Sequence, residues 1–135
     1  MATATVIYLG SLRTEMTHLR SGNKVITDAP TDNQGKGEAF SPTDIVSAAL
    51  CSCMLTIMGQ VAQRENIALE GMTGEAEKIM SAVSPRKIAE VKITLRHPNL
   101  KIDDKQRQKL INAAHTCPVA LSLSADVKQT IVFEF

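Results

Sequence analysis

Apolar residues follow two different periods along this chain, and the change of period separates predicted strands from predicted helices. Short segments near the start, separated by turn residues, predict two or three strands over residues 3–9, 12–19 and 24–27, and apolar and polar residues alternate in the later segment 88–96. Gly10-Ser11 and Ser21-Gly22-Asn23 supply hairpin turns between them. Residues 28–38 are rich in Asp, Asn, Gly and Pro and predict a loop. The chain is therefore expected to begin as a β-meander.

A nearly continuous apolar run over residues 45–62 predicts one long helix that protein encloses on most sides. Ser41 can cap this helix, Pro42 suits its first position, and Asp44 occupies the capping-box position. We expect the helix to end near Asn66. The run has about the minimum length of a membrane span, but it contains Ser, Thr, Gly and Gln, so we interpret it as a core helix and expect no membrane association.

The second half of the chain predicts a mixture of strands and helices. Its pattern favours strands over residues 69–80 and 88–96, a helix over 103–115, a short helical turn from Pro118, and a last strand over 127–135. Together with the first half, these elements indicate the α+β class. At 135 residues the chain is expected to form a single domain over residues 1–135.

Composition narrows the possible functions. The formal net charge is +1 and aromatic residues make up only 3% of the chain, so neither a basic surface nor stacking platforms favour nucleic acid as a partner. The first residues carry no basic leader, which predicts a cytoplasmic protein. Three cysteines are too few and odd in number for a disulfide scaffold, which leaves catalytic or packing roles for them.

The three cysteines are the candidate residues for redox chemistry. Cys51 and Cys53 lie about 200° apart around the predicted helix, so at most one of them can share a site with Cys117. Cys53 lies among apolar neighbours, where its thiolate needs a nearby cation, whereas Pro118 leaves Cys117 at a helix cap that faces backbone donors. Either thiol could be the more acidic one. From the residues alone, redox and packing roles are equally supported, and Cys51 is interpreted as a small buried apolar residue.

Metal binding is the weaker alternative for the same residues. His115 lies two positions before Cys117, but H-x-C and C-x-C without a second paired motif form a poor metal signature. A metal-binding regulator built on His115 and the cysteines is therefore a third hypothesis. We expect neither a metal site nor a cofactor.

Two segments carry a recognisable pattern: residues 40–53, with the sequence FSPTDIVSAALCSC, and the later Cys117-Pro118-Val119. Together they resemble the OsmC/Ohr family, and residues 10–13 and 27–30 extend the similarity. The resemblance implies an α+β OsmC-like fold and an intertwined homodimer. In that arrangement the long central helices lie back to back, antiparallel sheets wrap around them, and each active site forms between subunits.

The resemblance also implies a thiol-dependent peroxidase that acts in oxidative stress defence. In this scheme Cys53 is oxidised by a hydroperoxide to a sulfenic acid, Cys117 condenses with it to a disulfide, and a dithiol reductant restores both thiols. Arg13 matches the cation that stabilises the attacking thiolate. An apolar lining from Leu50, Met54 and Ile57 is expected to favour organic hydroperoxides.

One position departs from the family pattern. The best-characterised peroxidases of the family carry a Glu directly after the Ser-Pro of the helix start, where it holds the Arg, and this chain has Thr43 there. Glu38 and Asp44 are the candidates to supply the missing carboxylate. The departure supports an alternative function, a non-catalytic OsmC-like binding protein for a small apolar ligand, in which the cysteines only pack.

Overall fold

The structure, a computed structural model, describes every residue from Met1 to Phe135 and divides into two compact units, residues 1–46 and 47–135. The chain forms six strands and three α-helices, with one 3-10 turn over Thr31–Asn33. In chain order the elements are β1 (Ala4–Gly10), β2 (Arg13–His18), β3 (Lys24–Asp28), α1 (Pro42–Glu65), β4 (Thr73–Met80), β5 (Ile88–Arg96), α2 (Asp104–His115), α3 (Pro118–Ser122) and β6 (Lys128–Glu134).

The first unit contains the predicted β-meander, with β1, β2 and β3 paired antiparallel in that order. Gly10 pairs with Arg13, so Ser11 and Leu12 alone make the first turn, and both have positive φ angles of 54° and 61°. In the second hairpin the register places Arg13 directly opposite Asp28. The meander thus brings a cation and a carboxylate side by side at the ends of β2 and β3.

The loop after β3 folds back on its own first residues. The backbone N–H groups of Asn33 and Gly35 donate to the Pro30 carbonyl, and the N–H of Gly37 donates to the Ala29 carbonyl. A side chain at Gly35 would collide with the backbone of Ala29, so only glycine permits this close approach. The folded loop delivers Glu38 back to the end of β3, where its N–H reaches Asp28.

Helix α1 begins where the sequence predicts. The Ser41 hydroxyl accepts a hydrogen bond from the Asp44 N–H at 3.0 Å, and the Asp44 carboxylate accepts one from the Ser41 N–H at 2.9 Å. This reciprocal pair is a capping box and confirms the predicted start. The helix ends at Glu65 because Asn66 adopts a left-handed conformation with φ 54°, one residue before the expected end.

The apolar character of α1 is explained by the core of the second unit. By length and composition alone its 24 residues could cross a membrane, a property shared by core helices of soluble proteins. Leu50, Met54 and Met58 have no exposed surface, and they pack with apolar residues of β5 and α2. The remaining core residues include Val91, Ile93, Leu95, Leu110 and Ala114.

The second sheet differs from the expectation in two respects. Its order is β4-β5-β6, with β4 and β5 antiparallel but β5 and β6 parallel, so it is mixed rather than wholly antiparallel. Helices α2 and α3 lie between β5 and β6 in the chain and supply the long connection that parallel pairing requires. Strand β4 begins at Thr73 because Leu69–Met72 form a turn closed by a hydrogen bond, with Gly71 at φ 92°.

Candidate functional site

Two cysteines from distant parts of the chain meet in the second unit. Cys53 is half-buried near the middle of α1, and Cys117 is fully buried immediately before α3. Their side chains are close enough that the Cys53 thiol raises the pKa of Cys117, and all three cysteines of the chain are free thiols. The structure therefore brings together the two thiols that the sequence analysis singled out.

Cys117 occupies the N-cap of α3, as its position before Pro118 predicts. Its Sγ accepts a hydrogen bond from the Ala120 N–H at 3.4 Å. Burial nevertheless raises the pKa of Cys117 above its ordinary value, and the backbone donors of Ala120 and Val119 offset this only in part. The increase in the pKa of Cys117 from desolvation is thus larger than the decrease from the backbone donors of α3, and Cys117 stays protonated at neutral pH.

Cys51 belongs to a different surface of α1. It is buried, and its Sγ lies against Gly74 of β4, where any added Cβ would overlap the sulfur. Burial raises the pKa of Cys51, with no other group contributing. Helical geometry turns Cys51 away from the pair of Cys53 and Cys117, as the spacing predicts.

In the first unit, Arg13 lies between two carboxylates. Its Nη2 donates to Glu38 Oε2 at 2.6 Å and to Asp28 Oδ2 at 3.3 Å. The Glu38 side chain is 59% exposed, whereas that of Asp28 is 1% exposed. The Asp28 Oδ2 atom also accepts the Glu38 N–H at 3.0 Å. These three residues form one hydrogen-bonded cluster, which we call the Arg13 cluster.

Asp28 is the residue of this cluster that sequence reasoning missed. Its pKa lies below the ordinary value because the Glu38 N–H and the charge of Arg13 stabilise the carboxylate against the opposing effect of burial. Its Oδ1 is buried without a hydrogen-bond partner. The position of the second turn could have revealed Asp28. A turn centred on Arg20 and Ser21 pairs residue 28 with residue 13 across β2 and β3.

The other supporting candidate, Asp44, serves the start of α1. Its carboxylate and its N–H are both bonded to Ser41, as described above. Thr43, which stands at the family's Glu position, has its hydroxyl 3.2 Å from that of Ser41. Of the two proposed substitutes for the missing carboxylate, Glu38 is therefore the one that the structure shows paired with Arg13.

A groove between α1 and α2 opens one helical turn beyond Cys53. It has a volume of about 480 Å3, with Ile57, Val61 and Ala113 as its apolar part and polar groups around them. The polar lining comes from Arg64, Glu65, Lys109, Asn112 and Thr116. Leu50 and Met54, which we expected to line a substrate site with Ile57, are instead fully buried in the core. Their side chains point into the core because the sheet covers that side of α1.

The structure contains no group of three or more His, Cys, Asp or Glu residues arranged to hold a metal ion. His115 instead places its ring edge-on to Phe133, with ring centroids 5.5 Å apart. The hypothesis of a metal-binding regulator therefore has no support from the geometry around His115.

Comparison with known proteins agrees with the fold. The family model described as OsmC-like protein matches residues 35–132. A crystal structure from Psychrobacter arcticus 273-4, of a protein provisionally described as an osmotic stress induced and detoxification response protein, is 48% identical, with 99% of this chain and 96% of that chain covered and a TM-score of 0.93. No match was found among curated proteins.

More distant structures share the fold. An organic hydroperoxide resistance protein OsmC from Legionella pneumophila is 17% identical, covering 100% of this chain and 98% of its own, with a TM-score of 0.76. An organic hydroperoxide resistance protein from Elizabethkingia anophelis is 14% identical, covering 99% and 96%, with a TM-score of 0.72. The chain belongs to the OsmC-like protein family.

Proposed function

We propose that this protein is a cysteine-based hydroperoxide reductase that uses Cys53 and Cys117 in a sulfenic acid and disulfide cycle. The observation that carries the proposal is the contact between these two thiols, which come from α1 and from the cap of α3. A thiol placed beside a second thiol can trap its sulfenic acid as a disulfide before further oxidation occurs. Membership of a family that includes organic hydroperoxide resistance proteins points to the same chemistry.

The cycle balances with one hydroperoxide and one external dithiol. The Cys53 thiolate attacks the outer peroxide oxygen, an S–O bond forms as the O–O bond breaks, and the leaving alkoxide takes a proton to become an alcohol. The Cys117 thiol then attacks the Cys53 sulfur, the S–S bond forms, and the hydroxyl leaves as water. A dithiol reduces this disulfide by thiol exchange and becomes oxidised itself.

The two thiols have different parts in this cycle. Burial holds Cys117 in the protonated form, which suits a resolving thiol that acts only after its neighbour has been oxidised. Cys53 is the half-buried member of the pair and therefore the one that a peroxide can reach. We assign Arg13 the role of the cation that favours the Cys53 thiolate. The ion pair between Arg13 and Glu38 supports Glu38 rather than Asp44 as its carboxylate partner.

The surroundings of Cys53 support a proposal for the substrate class. Ile57 lies one turn further along α1 and belongs to the apolar part of the groove between α1 and α2. The apolar part of this groove favours an alkyl or aryl hydroperoxide over hydrogen peroxide, because the organic group of the substrate can be removed from water there. We therefore assign organic hydroperoxides as the preferred substrates, with protection against oxidative stress in the cytoplasm as the role.

The acting form is proposed to be a homodimer. Strand β1 exposes four consecutive large apolar residues, Val6, Ile7, Tyr8 and Leu9, each with more than half of its surface accessible. Apolar side chains on both faces of an edge strand are typical of a surface that another chain covers. A second copy of this chain is the partner that family membership favours.

The direct test compares three single cysteine variants in a cumene hydroperoxide assay with a dithiol reductant. Cys53→Ser should abolish turnover, because the attacking sulfur is gone. Cys117→Ser should lose sustained turnover yet still consume one equivalent of peroxide, with Cys53 progressing to sulfinic acid by mass spectrometry. Cys51→Ser is the matched control on the same helix and should keep most of the activity. Undiminished turnover by Cys53→Ser would contradict the proposal.

The binding-protein alternative predicts a different outcome from the same chain. If all three cysteines only pack, a thiol reagent should label none of them until the protein unfolds. The peroxidase proposal requires Cys53 to be labelled rapidly in the folded protein, well ahead of Cys51 and Cys117. Mass mapping of the modified peptides separates the two functions without any assumption about the substrate.

A further inference from the structure

The two carboxylates that contact Arg13 are not equivalent. The Glu38 contact is the shorter, at 2.6 Å, but its carboxylate sits on a loop and is 59% exposed. The Asp28 contact is 3.3 Å long, and its carboxylate is 1% exposed at the end of β3. Exposed ion pairs contribute little because water competes for both partners, and holding long side chains costs conformational entropy. Contact length and burial therefore point to different residues as the main support of Arg13.

The burial of Asp28 and its hydrogen bonds favour Asp28 as the main support of Arg13. The register of β2 and β3 places Arg13 directly opposite Asp28, so the backbone already fixes the distance between the two side chains. A buried carboxylate without its cation would be left uncompensated, which is costly, so Asp28 and Arg13 hold each other in place. The Glu38 N–H donates to the same Asp28 oxygen, so Asp28 also fixes the residue that supplies the second carboxylate.

Asp28 has one carboxylate oxygen without a hydrogen-bond donor. Its Oδ1 is buried and has no hydrogen-bond partner, while its Oδ2 already accepts from Arg13 and from the Glu38 backbone. A guanidinium can donate to both oxygens of one carboxylate through its planar fork. The structure shows only the Oδ2 contact, so Oδ1 is the position where a second donor of Arg13 would bind if the contact with Glu38 were lost.

We propose that Asp28 is the positioning residue of the Arg13 guanidinium, in place of the carboxylate that this chain lacks at Thr43, with Glu38 in a secondary role. This proposal rests on the proposed function, in which Arg13 favours the Cys53 thiolate. Asp28 acts through Arg13 and does not touch the peroxide. The chain thus supplies the support from the end of β3 rather than from the start of α1.

The test measures the pH at which Cys53 is half-maximally labelled by iodoacetamide, read by mass spectrometry of its peptide, in folded variants of the full chain. Arg13→Gln should raise this pH by about one unit or more, the usual effect of losing a neighbouring opposite charge. Asp28→Asn should produce at least half of that rise, and Glu38→Gln less than half. Glu15→Gln is the matched control, since it removes a carboxylate from the same face of β2 without a bond to Arg13.

A double variant separates positioning from a general structural effect. If Asp28 acts through Arg13, then the combination of Arg13→Gln with Asp28→Asn should shift the labelling pH no further than Arg13→Gln alone. Additive shifts, or a larger effect of Glu38→Gln than of Asp28→Asn, would overturn the proposal for Asp28. An unchanged labelling pH in Arg13→Gln would instead contradict the cation assignment in the proposed function, and the proposal for Asp28 with it.

A second variant keeps the proposal testable if Asp28→Asn fails to fold. Arg13→Lys retains the positive charge but loses the planar fork that a carboxylate can hold in a fixed orientation. We expect it to raise the labelling pH of Cys53 by about half a unit or more. Wild-type behaviour in Arg13→Lys would show that charge alone suffices and would overturn a positioning role for Asp28.

Discussion

At the scale of single residues, the partners of a buried ionisable group decide the direction in which its pKa shifts. Cys117 faces backbone donors at a helix cap, the arrangement that ordinarily favours a thiolate, yet desolvation raises its pKa. Asp28 is equally buried, and there the Glu38 N–H and Arg13 overcome desolvation and lower the pKa. The difference lies in the partners, because only Asp28 has a full positive charge within reach.

The lowered pKa of Asp28 predicts how stability depends on pH. The ionised form is favoured in the folded state, so its contribution to stability is fully present above the pKa of an unfolded Asp, about 3.9. The contribution is lost as the pH falls through the lower folded value. In urea unfolding, Asp28→Asn should therefore be less stable than wild type at pH 7, and the difference should narrow towards pH 3.

The control for this measurement is again Glu15→Gln, whose partner is Lys24 on the exposed surface. Its stability difference from wild type should be small at every pH. A difference between Asp28→Asn and wild type that stays constant from pH 7 to pH 3 would contradict a role for Asp28 ionisation in folding.

Sequence reasoning found some residues of the site but not others for a physical reason. Cys53 and Cys117 could be found from the sequence because the chain has only three cysteines, and the residues next to each of them show which kind of element holds it. Asp28 looks like an ordinary turn former next to Ala29 and Pro30, and its importance appears only once the strand register is known. Burial of Leu50 and Met54 was equally hidden, because it depends on which side of α1 the sheet covers.

At the scale of elements, α1 packs closely against β4 where Cys51 meets Gly74. Gly74 leaves space for the Cys51 sulfur, and an added Cβ would also meet Leu95 at 3.3 Å. Gly74→Ala should therefore lower the free energy of unfolding by about 1–3 kcal/mol, the usual cost of overpacking a core. Thermal or urea unfolding checks this directly.

A double variant of Cys51 and Gly74 provides the control for this prediction. Cys51→Ala removes the sulfur that the new methyl group would strike, so the double variant Cys51→Ala with Gly74→Ala should be more stable than Gly74→Ala alone. Additive losses in the double variant would show that Cys51 and Gly74 do not share this contact.

Short sequence motifs predicted where helices and strands begin better than they predicted which strands pair with each other. The start of α1 was predictable because its capping box lies within four consecutive residues, Ser41 to Asp44. The parallel pairing of β6 with β5 was not, because it depends on how α2 and α3 carry the chain across the sheet. The turn at Leu69–Met72 was missed because its two end residues are apolar and directly precede the strand, so the sequence gives no clear boundary there.

At the scale of the whole molecule, the exposed apolar residues of β1 require an explanation that the single chain does not provide. If a second copy covers them, light scattering should give about twice the chain mass of 14.6 kDa. Val6→Glu should shift the protein towards the monomer, because it places a charge in an apolar interface. Val83→Glu, which alters another exposed valine, in a loop of the second unit, is the matched control and should leave the dimer intact.

Fold class and family follow from patterns spread along the whole chain, which is why both could be predicted before any coordinates. The homodimer and the cytoplasmic location stay predictions, since they concern surroundings that one chain does not contain. A monomer in light scattering at micromolar concentration would remove the dimer from the proposed function while leaving the contact between the two thiols unaffected.

The central claim is that Cys53 and Cys117 form a working redox pair, and one measurement tests it most directly. The reduced protein is treated with one equivalent of cumene hydroperoxide, quenched, digested without reductant, and mapped by mass spectrometry. We predict one dominant new species, a disulfide between the Cys53 and Cys117 peptides, with Cys51 still a free thiol. Unmodified cysteines throughout, or a disulfide that involves Cys51, would contradict it.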